Sequence, residues 1–210
     1  MQVYSPTTLR LFSQEALKLG LMGSTILAST GDNGVADAFA RKQFCNPITP
    51  DCACSLNTSS AAFQSSASSV SQTKNTWTGQ GYFAHFPASC PYVTAVGATM
   101  LESFTSGPEI ACSSQTGGVI TTGGGFSSYY ARLDWQNNAV AQYFQQISDN
   151  NWTPPASGYN PLGRGYPDVA LNGFSYDNVV NGFFTGASGT SASTPAFAAM
   201  SEFVLYWYLL

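Results

Sequence analysis

Thr25-Ile26-Leu27-Ala28-Ser29 is a short run that is nearly all apolar, with no polar residue alternating through it. A strand wetted on one face alternates apolar and polar side chains, so an unbroken run predicts a strand covered on both faces, as in a parallel sheet between helices. The residues before it predict one such helix. Ser5 supplies a cap and Pro6 a first-turn proline, Leu9, Phe12, Ala16 and Leu19 recur at helical spacing, and Gly20 closes the pattern. A helix feeding a buried strand predicts an α/β layer architecture, with a second strand over about Tyr92 to Val96.

The first strand runs into Thr30-Gly31-Asp32-Asn33-Gly34, so Asp32 is expected in a loop at a strand's carboxyl end, where open α/β sheets place their ligands. Taken alone, Asp-Asn-Gly is equally an ordinary surface turn. Gly189-Thr190-Ser191-Ala192-Ser193-Thr194-Pro195 carries a similar ambiguity. Small residues there precede a serine that would open an apolar helix, where backbone can approach a substrate and helix amides favour negative charge near the hydroxyl. The same letters fit a Ser/Thr-rich loop ending in an N-cap, and Ser193 is a rival to Ser191. Gly123-Gly124-Gly125 marks another close backbone approach or a tight turn; no G-K-[ST] follows, so it is not a phosphate loop. Leu133 to Ile147 has helical character with apolar Val140, Phe144 and Ile147.

A length of 210 residues suits one domain. Charged residues make up only 9% of the chain, against a usual share of about 25%, which points to an extracytoplasmic or acid-compartment protein whose surface does not depend on ionised carboxylates. The net charge of −4, with no Lys/Arg cluster, argues against nucleic acid and anionic membranes as partners. No stretch reaches the roughly 18 apolar residues of a membrane span; Pro195 to Leu210 is interrupted by Glu202 and predicts a buried helix. Neither a basic nor an apolar leader region follows Met1, so no signal peptide is read in this chain. Five cysteines leave one over if the rest pair, and Cys45, Cys52 and Cys54 do not have zinc-site spacing. Disulfides pinning that region and buried free thiols both remain open. Ser55 to Thr78 has few charges and little periodicity, as expected of an irregular insertion over about 44–80.

Five blocks occur in one order: Ser29 to Gly34, Phe86-Pro87-Ala88-Ser89-Cys90-Pro91-Tyr92-Val93-Thr94-Ala95-Val96-Gly97-Ala98-Thr99, Gly123-Gly124-Gly125-Phe126-Ser127, Gly163-Arg164-Gly165-Tyr166-Pro167-Asp168-Val169, and the Ser191 block. Together they resemble the sedolisin family of acid serine peptidases, the group of tripeptidyl peptidase I and kumamolisin, which has a subtilisin-like fold. The resemblance runs from about Leu9 to Ala199, with no counterpart for Phe44 to Gln80. It implies a mostly parallel sheet flanked by helices on both faces, incomplete at both ends, with residues 1–210 forming part of one peptidase domain.

The resemblance also implies roles. Ser191 would be the nucleophile that forms an acyl-enzyme with a peptide or protein substrate, by endopeptidase or tripeptidyl peptidase action. Asp32, in T-G-D-N-G where the family carries S-G-D-x-G, would stabilise the oxyanion, and Gly123, Gly124 and Gly125 would line the substrate channel. Only a protonated carboxyl can donate to an oxyanion, and ordinary aspartates are protonated below about pH 4, so the implied reaction is acidic unless burial favours the protonated form. The family's base is a glutamate oriented by an aspartate four residues later. No E-x-x-x-D occurs here: the glutamates are Glu15, Glu102, Glu109 and Glu202, and by the resemblance that helix would fall before Met1. His85 stands in Tyr82-Phe83-Ala84-His85-Phe86-Pro87, an aromatic packing context, and is read as structural rather than as the base. Arg164 and Asp168 are expected to hold a loop near the serine through an ion pair. No metal ligand is assigned in this chain; the family's calcium site would lie beyond Leu210. A secreted, lysosomal or vacuolar location follows from the resemblance. The alternative is a catalytically inactive fragment or peptide-binding remnant.

Overall fold

Ser5 and Pro6 open the first helix. The Ser5 hydroxyl accepts a hydrogen bond from the Thr8 N–H at 3.1 Å, and α1 runs over Pro6–Leu21. The computed structural model describes residues 4–36, 82–103, 105–151 and 159–208. Leu9 and Ala16 are buried and Phe12 packs beside them, but Leu19 is 41% exposed. At about 100° per residue, Leu19 lies roughly 80° around the helix from Leu9, at the edge of the buried stripe.

The apolar run becomes β1 (Leu27–Ser29), which pairs in parallel with β2 (Thr94–Leu101), Leu27 facing Thr94 and Ser29 facing Val96. β2 starts two residues later than expected and runs to Leu101, because its second half pairs antiparallel with β3 (Glu109–Ala111). Two ribbons form apart from this sheet. β4 (Gly125–Ala131) pairs antiparallel with β5 (Gly163–Tyr166) through an irregularity between Phe126 and Ala131. β6 (Val169–Asn172) then returns to β2 in parallel, with Val96 facing Val169. β7 (Tyr176–Val180) and β8 (Phe183–Ala187) make a hairpin whose turn, Asn181-Gly182, has both φ angles positive, as a two-residue Asn-Gly turn requires. The main sheet is therefore mixed: β1, β2 and β6 are parallel and β3 is antiparallel.

α2 (Asn137–Asp149) buries Val140 and Ile147, as the periodicity predicts. α3 (Thr190–Tyr208) contacts β1, β2 and β6. Its second half departs from the expected buried helix: Met200, Phe203, Val204, Tyr206 and Trp207 are exposed, because none of the described residues packs over them. The core lies between α1 and the sheet, where Leu9, Ala16, Ala28, Val93, Ala95, Cys90, Tyr130 and Tyr166 cluster.

Cys90 and Cys112 are buried free thiols. Cys45, Cys52 and Cys54, and the insertion over about 44–80, lie outside the described residues. Burial raises the pKa of Cys90 and Cys112 above the ordinary 9.0, and burial followed by the neighbouring Cys90 raises that of Tyr130 above 10.0. These groups hold their protons more tightly folded than unfolded, so the stability they contribute is complete below about pH 9 and is lost as pH rises through the raised values. Thermal melting from pH 7 to 11 is expected to show a midpoint that falls above about pH 9. A flat midpoint across that range would contradict the burial of these three groups.

Candidate active site

β1 delivers the chain through buried Thr30 to Gly31, whose φ of +88° favours glycine. The Gly31 N–H donates to Thr190 Oγ1 at 3.1 Å. Thr190 in turn donates twice to Asp32 Oδ1, from its backbone N–H at 2.8 Å and its hydroxyl at 2.9 Å. Asp32 is thereby joined to the first turn of α3 across a sequence separation of 158 residues. The other carboxyl oxygen faces Gly189: a Cβ placed there would stand 3.0 Å from Asp32 Oδ2, and Gly189 has a φ of +140°. Neither the crowding nor the backbone suits a side chain.

Ser191 follows Thr190 in the first turn of α3 and is exposed. Ser193 is fully buried, with its hydroxyl between the carbonyls of Gly97 at 2.9 Å and Thr190 at 3.1 Å. Of the two serines, only Ser191 is open to a substrate.

A second strand of contacts backs the Asp32 loop. Thr121 N–H donates to the Asp32 carbonyl at 3.0 Å, and Gly123 N–H donates to the Gly31 carbonyl at 2.7 Å. Gly123 packs so tightly that a Cβ there would overlap the Thr30 carbonyl. Gly124 and Gly125 instead border a cavity of about 520 Å³. The three glycines expected to act alike thus divide into one buttress and two wall positions.

His85 is half-buried and its backbone N–H donates to the Tyr166 hydroxyl at 2.8 Å. Its ring lies over Gly31, where a Cβ would stand 3.2 Å from Nδ1. The aromatic context is present, since Phe86 packs on Tyr4 and Phe12, yet the imidazole itself faces the Asp32 loop. Sequence reading missed this neighbour and missed Thr190 as the link. The threonine was legible in Gly-Thr-Ser, but its two partners were not.

Arg164, with no exposed side-chain surface, pairs with Asp168 Oδ2 at 2.5 Å and donates to the Val93 carbonyl at 3.1 Å. The same carboxylate oxygen accepts from the Ala95 N–H at 2.7 Å. The expected ion pair exists, and its anchor is the start of β2. Among the described residues no group of three or more His, Cys, Asp or Glu could hold a metal ion, so the chain's described carboxylates do not fit a calcium centre and no chemistry is assigned to one. No helix among them is long and apolar enough to cross a membrane.

An α/β sheet with an aspartate at a strand end, bonded to the start of a serine-bearing helix, agrees with the sedolisin resemblance of the sequence. Comparison supports this. No family model matches the chain. It is 37% identical over 197 residues to aorsin of Aspergillus oryzae, covering 89% of this chain and 26% of aorsin. It is 35% identical to tripeptidyl-peptidase SED1 of Arthroderma otae (96% of this chain, 28% of the relative) and 34% identical to physarolisin of Physarum polycephalum (89% and 30%). Among solved structures it resembles Pseudomonas sedolisin, a serine-carboxyl proteinase, in complex with two molecules of pseudo-iodotyrostatin. The TM-score is 0.53 at 23% identity, over 91% of this chain and 40% of that one. The chain belongs to the sedolisin family, and it spans 26–30% of the length of these three relatives.

Proposed function

We propose that this chain carries the nucleophile and oxyanion half of an acid serine peptidase. Ser191 Oγ attacks a peptide carbonyl and its proton passes to a carboxylate base, which delivers it to the leaving amine; water then cleaves the acyl-enzyme. The base is the glutamate–aspartate pair, contributed by sequence outside these 210 residues, since the chain contains no E-x-x-x-D. Asp32, protonated, donates to the oxyanion. Because Oδ1 already accepts two hydrogen bonds from Thr190, the proton belongs on Oδ2, beside Gly189. The observation that carries the reading is this contact between Asp32 and the residue immediately before Ser191.

Residues 1–210 are, in this reading, part of one domain with a surface insertion at about 44–80, and its complete sheet is mostly parallel with helices on both faces. Its partners are peptides or proteins, reached along Gly124 and Gly125; the low charge argues against nucleic acid and membranes. Any calcium is held beyond Leu210. A secreted, lysosomal or vacuolar location fits the acid chemistry. The second reading, a peptide-binding remnant, draws on the absence of E-x-x-x-D.

A tripeptide aldehyde tests this, because it adds reversibly to a serine hydroxyl as a hemiacetal and has no leaving amine to protonate. Titration into the chain near pH 4 is expected to show binding that weakens about 100-fold in Ser191→Ala and by a similar factor in Asp32→Ala. Equal affinity in Ser191→Ala would leave only the peptide-binding reading. Ser191-dependent hydrolysis of an ordinary peptide by the chain alone would instead show that its base lies within these residues.

A further inference from the structure

We propose that Asn181 is a self-modification site: the Asn-Gly turn of the β7–β8 hairpin closes to a succinimide and reopens as aspartate or β-aspartate, while the two Asn-Gly pairs beside the candidate active site are held unreactive. The proposal stands apart from the peptidase reading. The chain contains three Asn-Gly pairs, Asn33-Gly34, Asn172-Gly173 and Asn181-Gly182. In each, the glycine nitrogen can attack the asparagine side-chain amide, and the missing glycine Cβ leaves that approach open. Water is the only other reactant. The glycine nitrogen gives its proton to hydroxide and forms a bond to asparagine Cγ; the bond from Cγ to Nδ2 breaks, and Nδ2 takes a proton from water and leaves as ammonia. Water then opens the ring at Cγ, giving aspartate, or at the backbone carbonyl, giving a β-aspartyl link.

Hydrogen bonding separates the three pairs. Gly34 N–H donates to the Thr121 carbonyl at 2.9 Å, in the contact that backs the Asp32 loop. Gly173 is buried, and its N–H donates to the Thr99 carbonyl at 2.9 Å. The Asn172 side chain is also tied, donating to the Phe174 carbonyl at 3.1 Å and accepting from the Phe174 N–H at 3.3 Å. A nitrogen held in this way must leave its acceptor before it can lose its proton or turn towards Cγ. Asn181 and Gly182 differ on every count. Both are exposed, nothing lies within 4 Å of the Gly182 Cβ position, and no described residue bonds to the Gly182 N–H or the Asn181 side chain. The titratable groups of the hairpin, Tyr176 and Asp177, pair with Ala187 and Gly186 at its base, so neither stands at the turn to repel hydroxide. Because the step needs hydroxide, it is slow in an acid medium and proceeds once the chain meets a neutral or alkaline one. A β-aspartyl link adds a backbone atom to the two-residue turn that sets Val180 opposite Phe183. The product therefore loosens the hairpin tip and puts a carboxylate beside two exposed apolar side chains.

The test incubates the intact chain in mildly alkaline and in mildly acid buffer, digests it, and follows the three asparagine peptides by mass spectrometry, with electron-transfer fragmentation to separate aspartyl from β-aspartyl products. In alkaline buffer Asn181 is expected to convert at least about tenfold faster than Asn33 or Asn172, the factor that one held backbone hydrogen bond supplies. Both product forms should appear, and conversion in acid buffer should be slower. In guanidinium at the same alkaline pH, where the holding bonds are gone, the three rates should converge. Asn181→Gln, which would need a larger ring to close, should remove the fast signal, and thermal melting checks that this variant folds. Asn33 or Asn172 converting as fast as Asn181 in the folded chain would overturn the proposal. So would a difference that persists in guanidinium, since the neighbouring residues and not the fold would then set it. A product without the β-aspartyl form would exclude the succinimide.

Discussion

Gly123→Ala is expected to abolish cooperative folding of this chain at 25 °C. An added Cβ would sit far inside 3.0 Å of the Thr30 carbonyl, and also against the Gly31 carbonyl, so backbone would have to move rather than a flexible side-chain end. That backbone cannot move freely. Gly123 N–H donates to the Gly31 carbonyl, Thr121 N–H to the Asp32 carbonyl, and Gly34 N–H to the Thr121 carbonyl at 2.9 Å, so separating the two segments breaks a set of hydrogen bonds together. Changes that couple overpacking to lost buried hydrogen bonds sit in the tail above about 4 kcal/mol, against a total stability of about 5–15 kcal/mol for an ordinary domain. Circular-dichroism melting is the measurement. Gly20→Ala is the matched control: nothing lies within 4 Å of its Cβ position, in the last turn of α1, and alanine there should stabilise by up to about 1 kcal/mol. If Gly123→Ala melts like the native chain, packing against Thr30 and Gly31 is not what requires a glycine at this position.

The contact that Gly123 protects was out of reach of the sequence for a physical reason. Ser5-Pro6, the spacing of Leu9 and Ala16, and the run at Thr25 to Ser29 are local signals, and each produced its element. The bonds from Thr190 to Asp32 join residues 158 apart, and no local propensity encodes which loop end meets which helix. Family resemblance put Asp32 and Ser191 in one site; Thr190 as the bridge and His85 over Gly31 needed coordinates. The late start of β2 has a similar origin. Tyr92 and Val93 have strand-like composition, but the Val93 carbonyl accepts from Arg164, and the ladder begins where Thr94 N–H donates to the Ile26 carbonyl at 2.8 Å. The exposed second half of α3 marks the limit of reading burial from hydropathy. Its apolar residues predict a covered helix, and coverage depends on what packs there.

Asp168→Ala is expected to cost about 3–5 kcal/mol, because it strands a guanidinium that has no exposed surface. At roughly 2–4 °C per kcal/mol for a chain of this size, the melting midpoint should fall by roughly 6–20 °C. The pair is not fully satisfied: Arg164 Nε and Asp168 Oδ1 are buried without a hydrogen-bond partner among the described residues. A buried pair with orphaned atoms gains less than its desolvation takes away, so its value lies in being unbroken more than in being present. That predicts a particular double-mutant cycle. Arg164→Met and Asp168→Leu should each destabilise strongly, and Arg164→Met/Asp168→Leu should be more stable than either. It should still fall short of the native chain, because the Ala95 N–H and the Val93 carbonyl lose their partners. A double variant no more stable than the single ones would mean that these two backbone bonds at the start of β2, and not the charges, are what the pair supplies.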